Sequence, residues 1–114
     1  MTNAQHDCDI LIQQIAKKRD VFCQWPACNS LVEAGHHIFS RSRLATRYVP
    51  LNIIGLCYHY HQTIAHGEPL IFENFMVYRM GDNYFELQQL SLTIAKNFDF
   101  KECRKGLRKL LGEL

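Results

Sequence analysis

Five of the six histidines in this 114-residue chain, His36, His37, His59, His61 and His66, fall between positions 36 and 66. A chain this short builds one hydrophobic core and buries only about two-thirds of its unfolded surface, so a bound metal would add stability that the core lacks. His36 and His37 are adjacent at the end of a predicted strand, where neighbouring side chains point to opposite faces. One imidazole can then hold a cation while the other faces an attacking water. Phosphodiester hydrolysis needs that division of labour, with a cation against the crowded phosphate charge and a neutral imidazole, pKa near 6.5, to take the proton of water. His61 and His66 lie five apart on a predicted helix. That interval turns roughly 140° in a regular α-helix, so the two reach one metal only at a frayed or widened helical end.

The rest of the chain frames this cluster. Cys8, Leu11, Ile12 and Ile15 recur at spacings of three and four and predict a helix over 3–18. Cys23-Gln24-Trp25-Pro26-Ala27-Cys28 is a tight loop. Residues 31–39 read as a strand, 40–50 as a polar loop, and Asn52 opens a second strand, Ile53 to Leu56. A helix then starts at Cys57 or Tyr58 and runs to His66, with Gly67 ending it. Pro69 begins a helix with Leu70, Phe72, Phe75 and Met76 beneath it, and Gly81 stops it. Asp82 is expected to cap another, with Phe85, Leu87, Leu90 and Ile94 in the core. Asp99 and Glu102 form a variant capping box ahead of a last helix, whose apolar face is Cys103, Leu107, Leu110, Leu111 and Leu114. The expected fold is α+β, mostly α: a short β-hairpin plus helix, or ββα-metal finger, wrapped by additional helices. It forms one domain over 1–114, with the finger at 23–67, the N-terminal helix at 3–18 and the C-terminal helices at 69–114.

The string GHHI, then Asn52, then LCYHYH resembles the HNH, or His-Me finger, endonuclease superfamily. The wider stretch ATRYVPLNIIGLCYHYHQTIAHGEPLIFENFM is similar to small phage-encoded HNH proteins, and the likeness covers roughly residues 23–85. The resemblance implies a metal-dependent DNA endonuclease that nicks or cuts duplex DNA, leaving 5′-phosphate and 3′-hydroxyl ends with one divalent ion. It implies His37 as general base, His36, His61 and His66 as metal ligands, and Asn52 as the asparagine that braces the loop and orients the base. Three imidazoles favour zinc, nickel, cobalt or manganese by ligand softness, while magnesium is abundant in cells.

Members of that family also hold the finger with a structural zinc bound by paired cysteines. Cys23 and Cys28 resemble the first pair and Cys57 the start of the second, but its expected partner position holds Tyr60. Two readings stay open: His59 completes a Cys3His zinc site, or packing has replaced the zinc. Cys8 and Cys103 read as small core residues. Arg41, Arg43 and Arg47, in the loop after the histidine pair, are expected to grip DNA phosphates, which binds the backbone without reading sequence. A net charge of +2 is compatible with that partner without arguing for it. No apolar run would cross a bilayer, and MTNAQHDCD has no signal-peptide character, so the expected location is the cytoplasm, that of a bacterial host if phage-encoded. Two competing readings are a non-catalytic zinc module binding nucleic acid or protein, and an HNH subunit active only with phage or host partner proteins.

Overall fold

A computed structural model describes residues 2–114. The elements in chain order are α1 (Asn3–Asp20), β1 (Ala34–His37), α2 (Leu44–Arg47), a 3-10 turn (Pro50–Asn52), β2 (Ile53–Leu56), α3 (Tyr58–Tyr60), a π-turn (His61–His66), α4 (Pro69–Met80), α5 (Asp82–Ser91) and α6 (Phe100–Glu113). The protein is thus mostly helical around one two-stranded antiparallel sheet. No helix among the described residues is long and apolar enough to cross a membrane.

Helix α1 begins where the Thr2 hydroxyl accepts from Gln5 N at 3.1 Å, and its last turn carries Lys17, Lys18 and Arg19, which suits the negative end of the helix dipole. Its apolar stripe, Cys8, Leu11, Ile12 and Ile15, is buried against Tyr48, Ile53 and Leu107. Each aliphatic side chain buried this completely contributes about 1.5–3 kcal/mol. Polar links lace α1 to α6: Arg104 donates to Asp7 at 2.9 Å, Lys18 to the Leu111 carbonyl at 3.2 Å, and the Cys8 thiol to the Phe100 carbonyl at 3.4 Å.

The hairpin is sandwiched, and all four residues of β2 are buried. Its register pairs Gly35 with Gly55, His36 with Ile54 and His37 with Ile53. Strand alternation therefore puts Gly35, His37, Ile53 and Gly55 on the α1 side, and His36, Ile54 and Leu56 on the side of the π-turn and α4. The glycines let α1 approach closely: a Cβ at Gly35 would sit 2.7 Å from Ile53 Cδ1 and 3.0 Å from Ala16 Cβ. The Gln13 side chain fills the free edge of β1, donating to the Gly35 carbonyl at 2.9 Å and accepting from the Gly35 amide at 2.8 Å. At the end of α1, Arg19 donates to the carbonyls of Pro50 (2.8 Å) and Ile53 (2.6 Å), while Asp20 accepts from Gly55 N at 2.7 Å. A second core forms across the sheet from Ile54, Leu56, Cys57, Phe72, Met76 and Tyr84.

Several sequence expectations shift. The first strand is confined to Ala34–His37; Leu31 makes only a single bridge to Phe22. The helix after β2 is split, with a widened turn carrying both distal histidines. Gly81, with φ at 58°, closes α4 and opens α5, so Asp82 lies in the first turn rather than capping it. Helix α5 buries Tyr84, Leu87 and Ser91 and ends there, which leaves Phe85, Leu90 and Ile94 exposed instead of in the core. Leu70 and Leu114 are exposed as well. The Asp99 carboxylate does accept from Glu102 N, at 3.0 Å.

Candidate metal centre

The strand and the π-turn bring His36, His61 and His66 together, each offering a ring nitrogen within 4.8 Å of the others. The Nε2 atoms of His61 and His66 are 3.0 Å apart, and the His36 ring centroid lies 5.2 Å from that of His61 and 5.0 Å from that of His66. Two imidazole nitrogens on one zinc, at Zn–N of 2.0–2.1 Å, stand roughly 3.3 Å apart in a tetrahedral shell. The local backbone explains how an interval of five works: a π-turn closes i→i+5 hydrogen bonds, which stack residues five apart on one side. Phe72 packs its ring on His36 at 4.9 Å and holds it from behind. Burial, then the neighbouring His61, His66 and His37, pushes the His36 pKa down to about 3, and burial followed by His66 lowers that of His61. Both rings are neutral at pH 7, the form that ligates metal. Three imidazole nitrogen donors fit a borderline divalent cation of the zinc class better than a hard one.

His37 faces the other side of the strand. Its Nε2 lies 2.9 Å from the Arg47 carbonyl. A carbonyl only accepts, so Nε2 carries the proton and Nδ1 keeps the lone pair. Burial lowers its pKa, with the Arg47 carbonyl opposing and Arg41 and Arg47 reinforcing the shift. All four histidines line one cleft of about 940 Å³.

Asn52 is fully buried, and its side chain makes no hydrogen bond to the histidines. Its Nδ2 donates to the carbonyls of Phe39 and Thr46, both at 3.0 Å, and its Oδ1 accepts from Phe39 N at 2.8 Å. It ties the loop after β1 to the start of β2, and that loop presents the Arg47 carbonyl to His37.

The arginines divide. Arg47 is committed to Asp9 of α1, through Nε at 3.0 Å and Nη2 at 2.8 Å, with its side chain 15% exposed. It is a structural fork, not the free phosphate ligand expected from the sequence. Arg43 is exposed but lies outside the residues lining the cleft. Arg41 does border the cleft, 62% exposed and 3.7 Å from Asp9. The opposite wall, which sequence reading did not single out, is α1, through Asp9, Gln13, Gln14 and Lys17. They sit on the polar side of an ordinary amphipathic helix, where only the spacing of four among Asp9, Gln13 and Lys17 marks them.

A second cluster joins Cys23, Cys28 and Cys57, again with ligand atoms within 4.8 Å of one another. The Cys28 and Cys57 sulfurs are 3.9 Å apart, close to the roughly 3.8 Å that Zn–S bonds of about 2.3 Å give in a tetrahedron. Hydrogen bonding from the Ser30 backbone lowers the Cys28 pKa, while burial raises that of Cys23 to about 11. His59 does not join this group; on α3 it is exposed, its ring against Tyr60. The Cys3His set is therefore not assembled, and Tyr60 instead stacks on Trp25 beside the thiols. Cys57 caps α3, and its carbonyl accepts from His61 N at 3.0 Å, so the thiol cluster and the imidazole cluster share one backbone segment. No family model matches this chain, and no curated protein or solved structure is significantly similar to it.

Proposed function

We propose that this protein is a DNA endonuclease of the His-Me finger kind, hydrolysing phosphodiester bonds with one divalent cation held by His36, His61 and His66. The observation that carries the reading is the convergence of those three imidazoles with a fourth, His37, whose tautomer leaves Nδ1 free to accept a proton, in a single cleft. When bound, the cation supplies electrostatic stabilisation of the phosphate charge. The protein supplies the rest. His37, neutral and oriented by the Arg47 carbonyl, takes the proton of the attacking water. Asn52 keeps that carbonyl in place by fixing the loop that bears it. Arg41 offers a guanidinium to the phosphate backbone at the cleft's edge.

Plasmid DNA incubated with the purified protein and a panel of Mg, Mn, Zn, Ni and Co salts tests this. Wild type should nick or linearise it, and His37→Ala should be slower by about two to four orders of magnitude, the usual general-base effect. Equal cleavage by both proteins would remove the assignment. A second reading has an observation of its own, the three-thiol cluster: a zinc module that binds nucleic acid or protein without cutting. It expects tightly held zinc and no functional effect of His37→Ala.

A further inference from the structure

Asp9, Gln13 and Lys17 are spaced four apart on α1 and therefore form one stripe along the helix. All three line the cleft. The middle residue, Gln13, grips Gly35, the neighbour of His36, and the four histidines line the same cleft as the stripe. At one end, Asp9 is neutralised by its bidentate pair with Arg47, which leaves the guanidinium of Arg41, 3.7 Å away, as the uncompensated charge there. At the other end is Lys17, exposed, with no acidic partner among the described residues. At about 1.5 Å of rise per residue, Asp9 and Lys17 are about 12 Å apart along the axis. That length is comparable to the separation of phosphates two steps apart on one nucleic-acid strand.

We infer that α1 is a phosphate ruler: Lys17 binds the backbone phosphate on one side of the scissile phosphate and Arg41 binds the phosphate on the other, with the imidazoles between. This assignment rests on the nuclease reading and adds a substrate contact from outside the hairpin and its helix. Lys17 touches a phosphate that does not react, so it contributes equally to ground-state and transition-state binding. Neighbouring Lys18 is engaged with the Leu111 carbonyl on the α6 side and provides a control of equal charge.

Binding of a fluorescent 20-base-pair duplex is followed by anisotropy, without added divalent metal, across a series of salt concentrations. Each lost phosphate contact should reduce the slope of log K against log salt by about 0.9 on duplex DNA. Lys17→Ala is expected to lower the slope by about that amount and weaken binding several-fold, Lys17→Arg to restore both, and Lys18→Ala to leave both near wild type. In the cleavage assay, Lys17→Ala should raise KM several-fold at nearly constant kcat. An unchanged slope in Lys17→Ala, or equal losses in Lys17→Ala and Lys18→Ala, would overturn the ruler while leaving cleavage by wild type, and so the nuclease reading, intact. Lys17-dependent binding without cleavage under any metal would keep the Lys17–phosphate contact but overturn the nuclease reading and, with it, a ruler set about a scissile phosphate. A wild type that does not bind DNA would overturn both.

Discussion

Replacing Asn52 with alanine tests whether one buried amide organises the loop beside the imidazoles. Its side chain satisfies three backbone groups, Phe39 N, Phe39 O and Thr46 O, at 2.8–3.0 Å, and none of it reaches solvent. A net hydrogen bond contributes about 1 kcal/mol, and a buried group left without a partner costs about 1–3 kcal/mol. Asn52→Ala should therefore lower stability by about 3–5 kcal/mol. With unfolding entropy of about 2.1 cal/mol/K per residue, a chain of this length loses about 4 °C of Tm per kcal/mol, so the melting midpoint should fall by 12 °C or more. Urea unfolding followed by circular dichroism measures it, with the m-value showing that the native state is otherwise intact. Ser91→Ala is the comparison: Ser91 is also buried, but its hydroxyl makes one bond to Gln88 O within its own helix, and the loss should stay near 1 kcal/mol. Asn52→Asp keeps the acceptor for Phe39 N yet aims a carboxylate at two carbonyl oxygens. It should be at least as damaging at pH 7 and recover partly in acid, where the protonated group can donate once. A loss for Asn52→Ala no larger than for Ser91→Ala would refute the reasoning.

Two further outcomes follow from the metal clusters. Cobalt(II) added to metal-free protein should give thiolate-to-cobalt charge-transfer absorption that Cys28→Ser weakens strongly and His61→Ala leaves in place; its absence in wild type would show that the thiols hold no metal of this class. The metal-free protein should also lose stability as pH falls. The pKa values of His36, His37 and His61 are all lowered by folding, so the unfolded chain binds more protons below pH 6.5; stability is fully present above that value and declines as pH drops toward the folded values, about 3 for His36. Between pH 6.5 and 5, each such histidine contributes a slope of up to about 1.4 kcal/mol per pH unit. Denaturant midpoints across that window should flatten measurably in His36→Gln, and identical slopes would contradict the burial argument.

Local chemistry made the hairpin legible. The second strand was bounded at Ile53–Leu56 as it stands, the first was expected over 31–39 and is confined to Ala34–His37, and neighbour alternation put His36 and His37 on opposite faces. The spacing of five between His61 and His66 required a frayed or widened helical end, because a regular helix would separate them, and the structure has the widened turn. What stayed hidden depends on partners distant in sequence. Nothing near Arg47 reveals that Asp9, 38 residues earlier, takes its guanidinium, and nothing near Gln13 reveals that its amide pairs with Gly35. The core face of α5 was misjudged for a different reason. Of the four expected core positions only Leu87 turns inward, joined by Tyr84 and Ser91, while Phe85 and Leu90 face out and the helix ends before Ile94.

The pairing of α1 with α6 bears on how the molecule is made. Bonds such as Cys8 to Phe100 and Lys18 to Leu111 span more than ninety residues, so α1 is synthesised well before the helix that completes its packing. Until α6 has left the ribosome, Leu11, Ile12 and Ile15 lack part of their cover, and the helix that buttresses β1 is only loosely anchored. Such high sequence separation slows the search for the native arrangement. A nascent chain therefore carries all its histidines well before it can hold them in register.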